Sequence, residues 1–475
     1  MSRRQWTHTP IRELHAPVPP PTHLTPEPPL HLLSPLGSEL DIPGYRCSTH
    51  VFPAAWPRST PFVPYPDDLQ GLDRIERKEE RKARLARVAD TMLAIKAAYE
   101  REGGDAQNDE SGRILWMTAT RWVRTTGASA GTGGKTLLCT HANGLHGSTY
   151  APVLRRLLAQ RQDIAEVWAL DGVQHGDAAL LNAGKLGILY DWHEMARDAL
   201  CFLQHFLPSE LDPTPLPTSL PRLSLNTSFR KVYGLGHSFG GCSLVLAAYR
   251  NPEHFAALML ADAVIVPADM DRSTRRAPGW VAPDGTKTSG GHNSLPSYVI
   301  GALSRRSRWP SRTAAYEALA SNPFFGSWDK DVLDIYVKHA LVEEKEGGEV
   351  RLKCEGVSEA AVFAEARAPR EAWSALPKLD GRIPLLWINP PAGESLVQTQ
   401  EIADARVRLR SPNSAHVTIP NGTHLIVQTH PRQVAEAAHL FLQAVDSGAV
   451  GDVHELLLRN SEGTTPAQSG SRARL

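Results

Sequence analysis

Gly234-Leu235-Gly236-His237-Ser238-Phe239-Gly240-Gly241 is the stretch on which the reading of this chain turns. Residues 236–240 fit G-x-S-x-G, the pattern of a serine carried on a sharp strand-to-helix turn, the nucleophile elbow. A serine hydroxyl is a weak nucleophile until it is exposed, oriented and given a base. The turn does the first two jobs, and it crowds the backbone enough to require glycine on both sides. The flanks agree with this. Lys231-Val232-Tyr233 leads in as a short strand, Ser243-Leu244-Val245-Leu246-Ala247-Ala248 leads out as an apolar helix, and Asn251-Pro252 stops that helix.

Outward from the elbow the chain alternates. The patterns predict strands over 113–124, 135–140, 164–170, 230–235, 255–261, 383–388 and 415–419. Helices are predicted over 72–102, from a cap at Ser148 to about 161, and over 192–206, 396–408 and 431–445. In the first of these, Leu85, Val88, Met92, Ile95 and Tyr99 share one face. A strand–helix rhythm of this kind implies a mainly parallel sheet with helices on both faces. Residues 265–380 break the rhythm between two sheet strands and are too long for a loop, so an inserted, mostly helical cap is expected there. The core is then split into 46–264 and 381–446. Residues 1–45, with Pro19-Pro20-Pro21 and Pro28-Pro29, read as a disordered extension, and 447–475 as a flexible tail.

Composition excludes several classes. Across 475 residues, 51 Lys and Arg balance 51 Asp and Glu, so no electrostatic footprint for nucleic acid exists. No apolar run is long enough for a transmembrane helix, and no apolar leader opens the chain. Cys47, Cys139, Cys201, Cys242 and Cys354 never form C-x-x-C and read as reduced, mostly buried thiols. The glycosylation sequons at Asn226 and Asn421 read as bystanders. Gly131-Thr132-Gly133-Gly134-Lys135-Thr136 imitates a phosphate loop. However, Ser129 stands at its first glycine position and the segment runs into a strand, so no nucleotide is expected. His193-Glu194 does not continue as H-E-x-x-H, and no Cys/His cluster has zinc spacing, so neither metal nor cofactor is expected. The terminal Ala473-Arg474-Leu475 has the small-basic-Leu form of a peroxisomal address, behind a Ser/Gly/Thr-rich tether over 460–472. Its expected partner is the peroxisomal import receptor.

A serine nucleophile needs an oxyanion loop, an acid and a histidine, in that chain order around it. Thr140-His141-Ala142-Asn143-Gly144 follows an early strand, so the amides of Asn143 and Phe239 are the expected oxyanion donors. His424, in Gly422-Thr423-His424, follows the last strand and precedes the last helix, which makes it the base candidate. Two residues suit the acid. Asp262 ends the strand Leu258-Met259-Leu260-Ala261, and Glu394 closes Pro390-Pro391-Ala392-Gly393-Glu394 after the next strand. The residues alone leave both open.

The elbow, the loop at His141 and the turn at His424 together resemble the α/β-hydrolase superfamily. More narrowly, the chain resembles its fungal peroxisomal branch, which includes the yeast peroxisomal triacylglycerol lipase and hydrolases of host-selective toxin pathways. His50 to Arg58 and Asp171-Gly172-Val173-Gln174-His175-Gly176-Asp177 are further shared marks, and the resemblance spans roughly 45–445. It implies an α/β-hydrolase fold and a peroxisomal serine hydrolase of esterase, lipase or thioesterase type, acting on a lipid, acyl or secondary-metabolite ester. It also favours Asp262 over Glu394 as the acid. The sequence departs from that branch at Asp262-Ala263, where Glu-Pro is usual, and at Ala142, where glycine is usual. The same acyl-serine chemistry serves acyltransferases, and an inactive binding protein would keep the same frame.

Overall fold

Strands buried on both faces carry near-continuous apolar sequence, and runs of Val, Leu, Ile and Trp mark the centre of this molecule. The computed structural model describes residues 6–69, 77–101, 112–126, 133–223, 230–270, 294–344, 348–396, 399–451, 454–456 and 458. Among these residues the strands are β1 (Tyr45–Pro53), β2 (Trp116–Arg124), β3 (Lys135–Thr140), β4 (Ile164–Asp171), β5 (Val232–His237), β6 (Phe255–Ala261), β7 (Arg308–Trp309), β8 (Leu341–Glu343), β9 (Val350–Leu352), β10 (Leu385–Asn389), β11 (Ser414–Thr418) and β12 (His454–Glu455). The helices are α1 (Lys78–Arg101), α2 (Ala151–Gln160), α3 (Gly176–Leu181), α4 (Trp192–His205), α5 (Phe239–Arg250), α6 (Leu295–Ser304), α7 (Arg312–Ala320), α8 (Pro323–Gly326), α9 (Lys330–His339), α10 (Gly356–Phe363), α11 (Arg367–Ala375), α12 (Gln400–Arg408), α13 (Ile426–Thr429) and α14 (Pro431–Asp446).

One sheet runs β1-β2-β4-β3-β5-β6-β10-β11-β12. Strand β2 is antiparallel to both neighbours, and every pair from β4 to β12 is parallel. The registers set Thr140 beside Gly236, His237 beside Ala261, and Ala261 beside Ile388. The loops after β3, β5, β6 and β10 therefore leave the same edge of the sheet, where ligands bind in such folds.

Helices cover both faces. On one, Leu154 and Leu157 of α2 and Val434 and Phe441 of α14 share a core with the sheet. On the other, the core takes in Met92 of α1, Phe202 of α4, Leu246 of α5 and Trp373 of α11. Fully burying a side chain of this size contributes roughly 1.5–3 kcal/mol. Between β6 and β10, β7, β9 and β8 form a small antiparallel sheet. It shares a separate core with α7 and α9, built from Trp309, Leu319, Trp328, Tyr336 and Leu352, which also takes in Ala142 and Leu145 from the loop after β3. Helix α10 packs on α6, whereas α11 packs on α5 of the sheet layer, because Ala368, Ala372 and Trp373 extend the main core.

Several boundaries differ from expectation. Ser148 lies inside a 3-10 turn (Gly147–Tyr150) rather than capping α2, and Tyr150 stands at the cap position, its hydroxyl donating to the Thr140 carbonyl at 3.0 Å instead of its side chain capping the helix. The helix predicted from 396 starts at Gln400, because Thr399 accepts a hydrogen bond from the Ile402 amide. The proline-rich segment, read as a disordered extension, lies against the domain from residue 6 onward. Its prolines forbid ladder pairing, but side chains tie it down. Buried Arg12 bonds Asp191 at 2.6 Å and Glu371 at 2.8 Å, Trp6 meets Trp373 edge-on at 5.6 Å, and Ser34 Oγ donates to Asp177 at 2.9 Å. His193 and Glu194 serve the same buried layer: His193 pairs with Glu371, and Glu194 with Arg58 and Arg197. Residues 72–76 and 102 of the first predicted helix, Gly131-Thr132 of the phosphate-loop mimic, Asn226, cap residues 271–293 and the terminal address lie outside the described residues.

Candidate active site

The elbow stands between β5 and α5. Ser238 has φ 58° and ψ −121°, a conformation that costs an L-residue about 1–3 kcal/mol and persists only where the surroundings enforce it. The enforcement is visible. Ser238 N–H donates to Ala261 at 3.1 Å, and its carbonyl accepts from Cys242 at 3.1 Å and Val264 at 3.2 Å. A Cβ on Gly240 would lie 2.5 Å from the His141 carbonyl oxygen and 2.6 Å from that of Thr140, so only glycine lets the β3 loop touch the start of α5.

His424 follows β11 and precedes α13. Its Nε2 lies 2.9 Å from Ser238 Oγ and its Nδ1 lies 2.6 Å from Asp262 Oδ2. The carbonyl of His424 accepts a 2.8 Å bond from His237 Nε2. Burial pushes the His237 imidazole down to about 3, so the elbow residue beside the serine is a neutral strut for the histidine loop.

Asp262 also has positive φ, at 34°, and is almost wholly buried. Burial alone would raise its carboxyl. The hydrogen bond and charge of His424, the Arg406 guanidinium and the Ser395 hydroxyl outweigh this and bring it down to about 2. Ser395 Oγ donates to Oδ1 at 2.7 Å, and Arg406 Nη2 lies 3.4 Å from the same oxygen. Arg406 is itself fixed by the Ala263 carbonyl at 2.5 Å and by Asn389 Oδ1 at 2.7 Å. Glu394 lies exposed at the end of a 3-10 turn (Ala392–Glu394), and the next residue, Ser395, is the one that turns inward. The structure thus brings Ser238, His424 and Asp262 into one chain of contacts and leaves Glu394 out of it.

Ala142-Asn143-Gly144-Leu145 is a turn closed by Leu145 N–H to the Ala142 carbonyl at 3.1 Å, with Gly144 at φ 75° as a type II turn requires. The Asn143 amide takes no part in closing it. The Phe239 amide is the first of α5 and has no acceptor within the helix. Both sites therefore suit donation to an external anion. Ala142 is buried in the core that α7 and α9 share with the small sheet.

Reading by motif passes over His175, Ser395 and Arg406 as functional groups. In the sequence His175 stands out only as part of a shared stretch, although it touches both oxyanion candidates. Its Nε2 lies 3.1 Å from Asn143 Oδ1, and its ring stacks on Phe239 at 5.8 Å and meets His141 at 4.6 Å. Asn143 Nδ2 donates to the Glu359 carbonyl at 2.9 Å, so Asn143 Oδ1 is the acceptor and His175 Nε2 the donor. Burial, and then His141, hold His175 well below the usual histidine range, so its ring is neutral. His175→Phe keeps a ring and removes this bond. It is expected to lower kcat ~10-fold with KM within about two-fold, and His175→Gln, which can still donate, to recover part of the loss. An equal change in kcat and KM would make the residue merely structural.

A pocket of about 70 Å³ opens onto Ser238 and His424 between Leu145, Tyr298, Phe324, Phe325, Trp328, Tyr336 and Leu396. Among the described residues no group of three or more His, Cys, Asp or Glu could hold a metal ion, and no helix is long and apolar enough to cross a membrane.

A model of the alpha/beta hydrolase family matches residues 137–437, from β3 into α14. The chain belongs to the α/β-hydrolase family. The type I acyl-CoA thioesterase mpaH' of Penicillium brevicompactum is 28% identical over 206 residues, which are 43% of this chain and 39% of that protein. The abhydrolase domain-containing protein AFT2-1 of Alternaria alternata is 29% identical over 119 residues, 25% of this chain and 37% of that protein. This α/β-hydrolase therefore spans about two-fifths of the length of these curated relatives. Among solved structures, the peroxisomal α/β-hydrolase Lpx1 of Saccharomyces cerevisiae superposes with a TM-score of 0.57 at 18% identity. The match covers 89% of this chain and 94% of that one, a likeness of fold.

Proposed function

We propose that this α/β-hydrolase cleaves a carboxylic ester or thioester through an acyl-serine intermediate. The observation that carries the reading is His424, which bridges Ser238 Oγ at 2.9 Å and Asp262 Oδ2 at 2.6 Å. In this reading Ser238 Oγ attacks the acyl carbon while His424 Nε2 takes its proton. The C–O or C–S bond then breaks, and the same proton goes to the departing alcohol or thiol. Water repeats the steps and frees the acid. Asp262 holds the imidazole in the tautomer that leaves Nε2 open, and the amides of Asn143 and Phe239 hold the oxyanion. The relatives named acyl-CoA thioesterases support a thioester, and the aromatic pocket walls support an apolar acyl group.

A fluorophosphonate probe tests the reading directly, because it reacts with an activated serine. Labelling at Ser238 is expected in the parent and absent in Ser238→Ala. A parent protein that resists the probe would overturn the reading in favour of an inactive binding protein.

We further propose that the protein works in the peroxisome, with Ala473-Arg474-Leu475 as its address. A fluorescent reporter carrying residues 460–475 is expected in peroxisomes, and the same reporter without Leu475 in the cytosol. Unchanged distribution on that deletion would refute the address.

A further inference from the structure

Beside the catalytic pocket lies a second, larger cavity of about 420 Å³, and the two share Tyr298, Arg305, Phe324, Phe325, Glu359 and Phe363 in their walls. The charges in these walls are unequal. Arg305 is matched: its guanidinium pairs with Glu359 at 2.5 Å, bonds the Tyr336 hydroxyl and lies over the Phe325 ring at 5.6 Å. Arg306, exposed at the wall of the outer cavity, is not matched. Its Nε donates to the Arg308 carbonyl at 3.0 Å and its guanidinium lies over the Trp309 ring at 5.6 Å, but no carboxylate pairs with it among the described residues. The neighbouring Arg308 pairs with Glu344, which Arg351 engages as well at 3.2 Å. Among the described residues Glu359, already spent on Arg305, is the one carboxylate in the cavity wall. Trp309 is 2% exposed, and its ring, with the Arg306 guanidinium over it, lines the same cavity.

A cation with no carboxylate partner at a cavity wall raises the local potential. A guanidinium steadied by stacking on an indole keeps its two terminal nitrogens in a fork that fits carboxylate or phosphate oxygens. We propose that this outer cavity binds the anionic group of the substrate, a phosphate or a carboxylate, through Arg306 held over the Trp309 ring. The inference rests on the ester or thioester reading, and it adds a substrate class: one charged at the end remote from the scissile bond. The anion can sit on either side of that bond. On the leaving group it is a phosphate of a coenzyme-A-type thiol, and on the acyl group it is a distal carboxylate.

Three substrates separate these cases: p-nitrophenyl butyrate (uncharged), butyryl-coenzyme A (phosphates on the leaving group) and p-nitrophenyl hydrogen glutarate (carboxylate on the acyl group). The result expected for Arg306→Gln is a ~10-fold rise in the ratio of KM for one anionic substrate to KM for the neutral ester, with kcat retained. A rise for butyryl-coenzyme A assigns a phosphate, and a rise for the glutarate ester a carboxylate. Unchanged ratios for both anionic substrates would overturn the subsite. Calorimetric titration with free coenzyme A and with monomethyl glutarate needs no turnover, so it tests the subsite even if the hydrolase reading fails. At least one is expected to bind the parent ~10-fold more tightly than Arg306→Gln, and equal or absent binding of both would overturn the proposal.

Discussion

Ser238→Ala is expected to lower kcat toward p-nitrophenyl butyrate and butyryl-coenzyme A by a factor on the order of 10⁴–10⁶. The substitution removes the hydroxyl that forms the acyl bond in the proposed mechanism, the one 2.9 Å from His424 Nε2. It leaves untouched the three backbone hydrogen bonds that fix the elbow, from Ser238 to Ala261 and from Cys242 and Val264 to Ser238. Alanine inherits the positive φ that serine already bears, so the melting temperature should shift by no more than the equivalent of about 1 kcal/mol. Steady-state rates and a thermal melt on the same preparation check both halves. A folded alanine variant with the parent rate would remove Ser238 from the chemistry.

The second large effect concerns the acid. Asp262→Asn is expected to cost a factor on the order of 10³–10⁴ in kcat, while Glu394→Gln stays within about two-fold of the parent. An amide at 262 can donate to His424 Nδ1, which turns the ring to the tautomer with Nε2–H facing the serine. Stability should fall as well, by about 3 kcal/mol, because Arg406 is left buried without its carboxylate. The parent has a matching acid sensitivity. The Asp262 carboxyl is held below its ordinary value, at about 2. Its stabilising contribution is therefore complete above the ordinary carboxylate range and is lost as pH falls through about 2. Kinetics of the two variants side by side decide the matter: equal, mild losses would leave the serine–histidine pair without the acid drawn here.

Much of the frame was legible because its causes are local. Glycines at 236, 240 and 241 are demanded by backbone contacts within a few residues of the elbow and with the adjacent β3 loop. The strand and helix flanking Ser238 are readable from apolar runs and from the stop at Asn251-Pro252. Asn143-Gly144 carried its turn in its own residue types, since a φ of 75° at the third turn position favours glycine. The N-terminal segment was misread for the complementary reason. Prolines signal what a chain cannot form, and nothing near residue 12 announces that Asp191 and Glu371 wait to bind Arg12. His175 escaped similarly, because its partners Asn143 and Phe239 stand 32 and 64 positions away.

By itself, the sequence determined the elbow, the order of loop, serine and histidine, and the parallel sheet that carries them. Each of these follows from short-range sterics and from hydrophobic periodicity. The residues by themselves left the two carboxylates open, and the tertiary structure sets Asp262, not Glu394, against His424. Asp262 and Glu394 both follow neighbouring parallel strands, so spacing treats them alike. What separates them is the positive φ at Asp262, the Arg406 guanidinium brought from α12, and a turn after β10 that buries Ser395 and leaves Glu394 exposed. The unmatched charge at Arg306 is of the same kind. It is a difference between two adjacent arginines that arises only when the fold hands Glu359 to one of them.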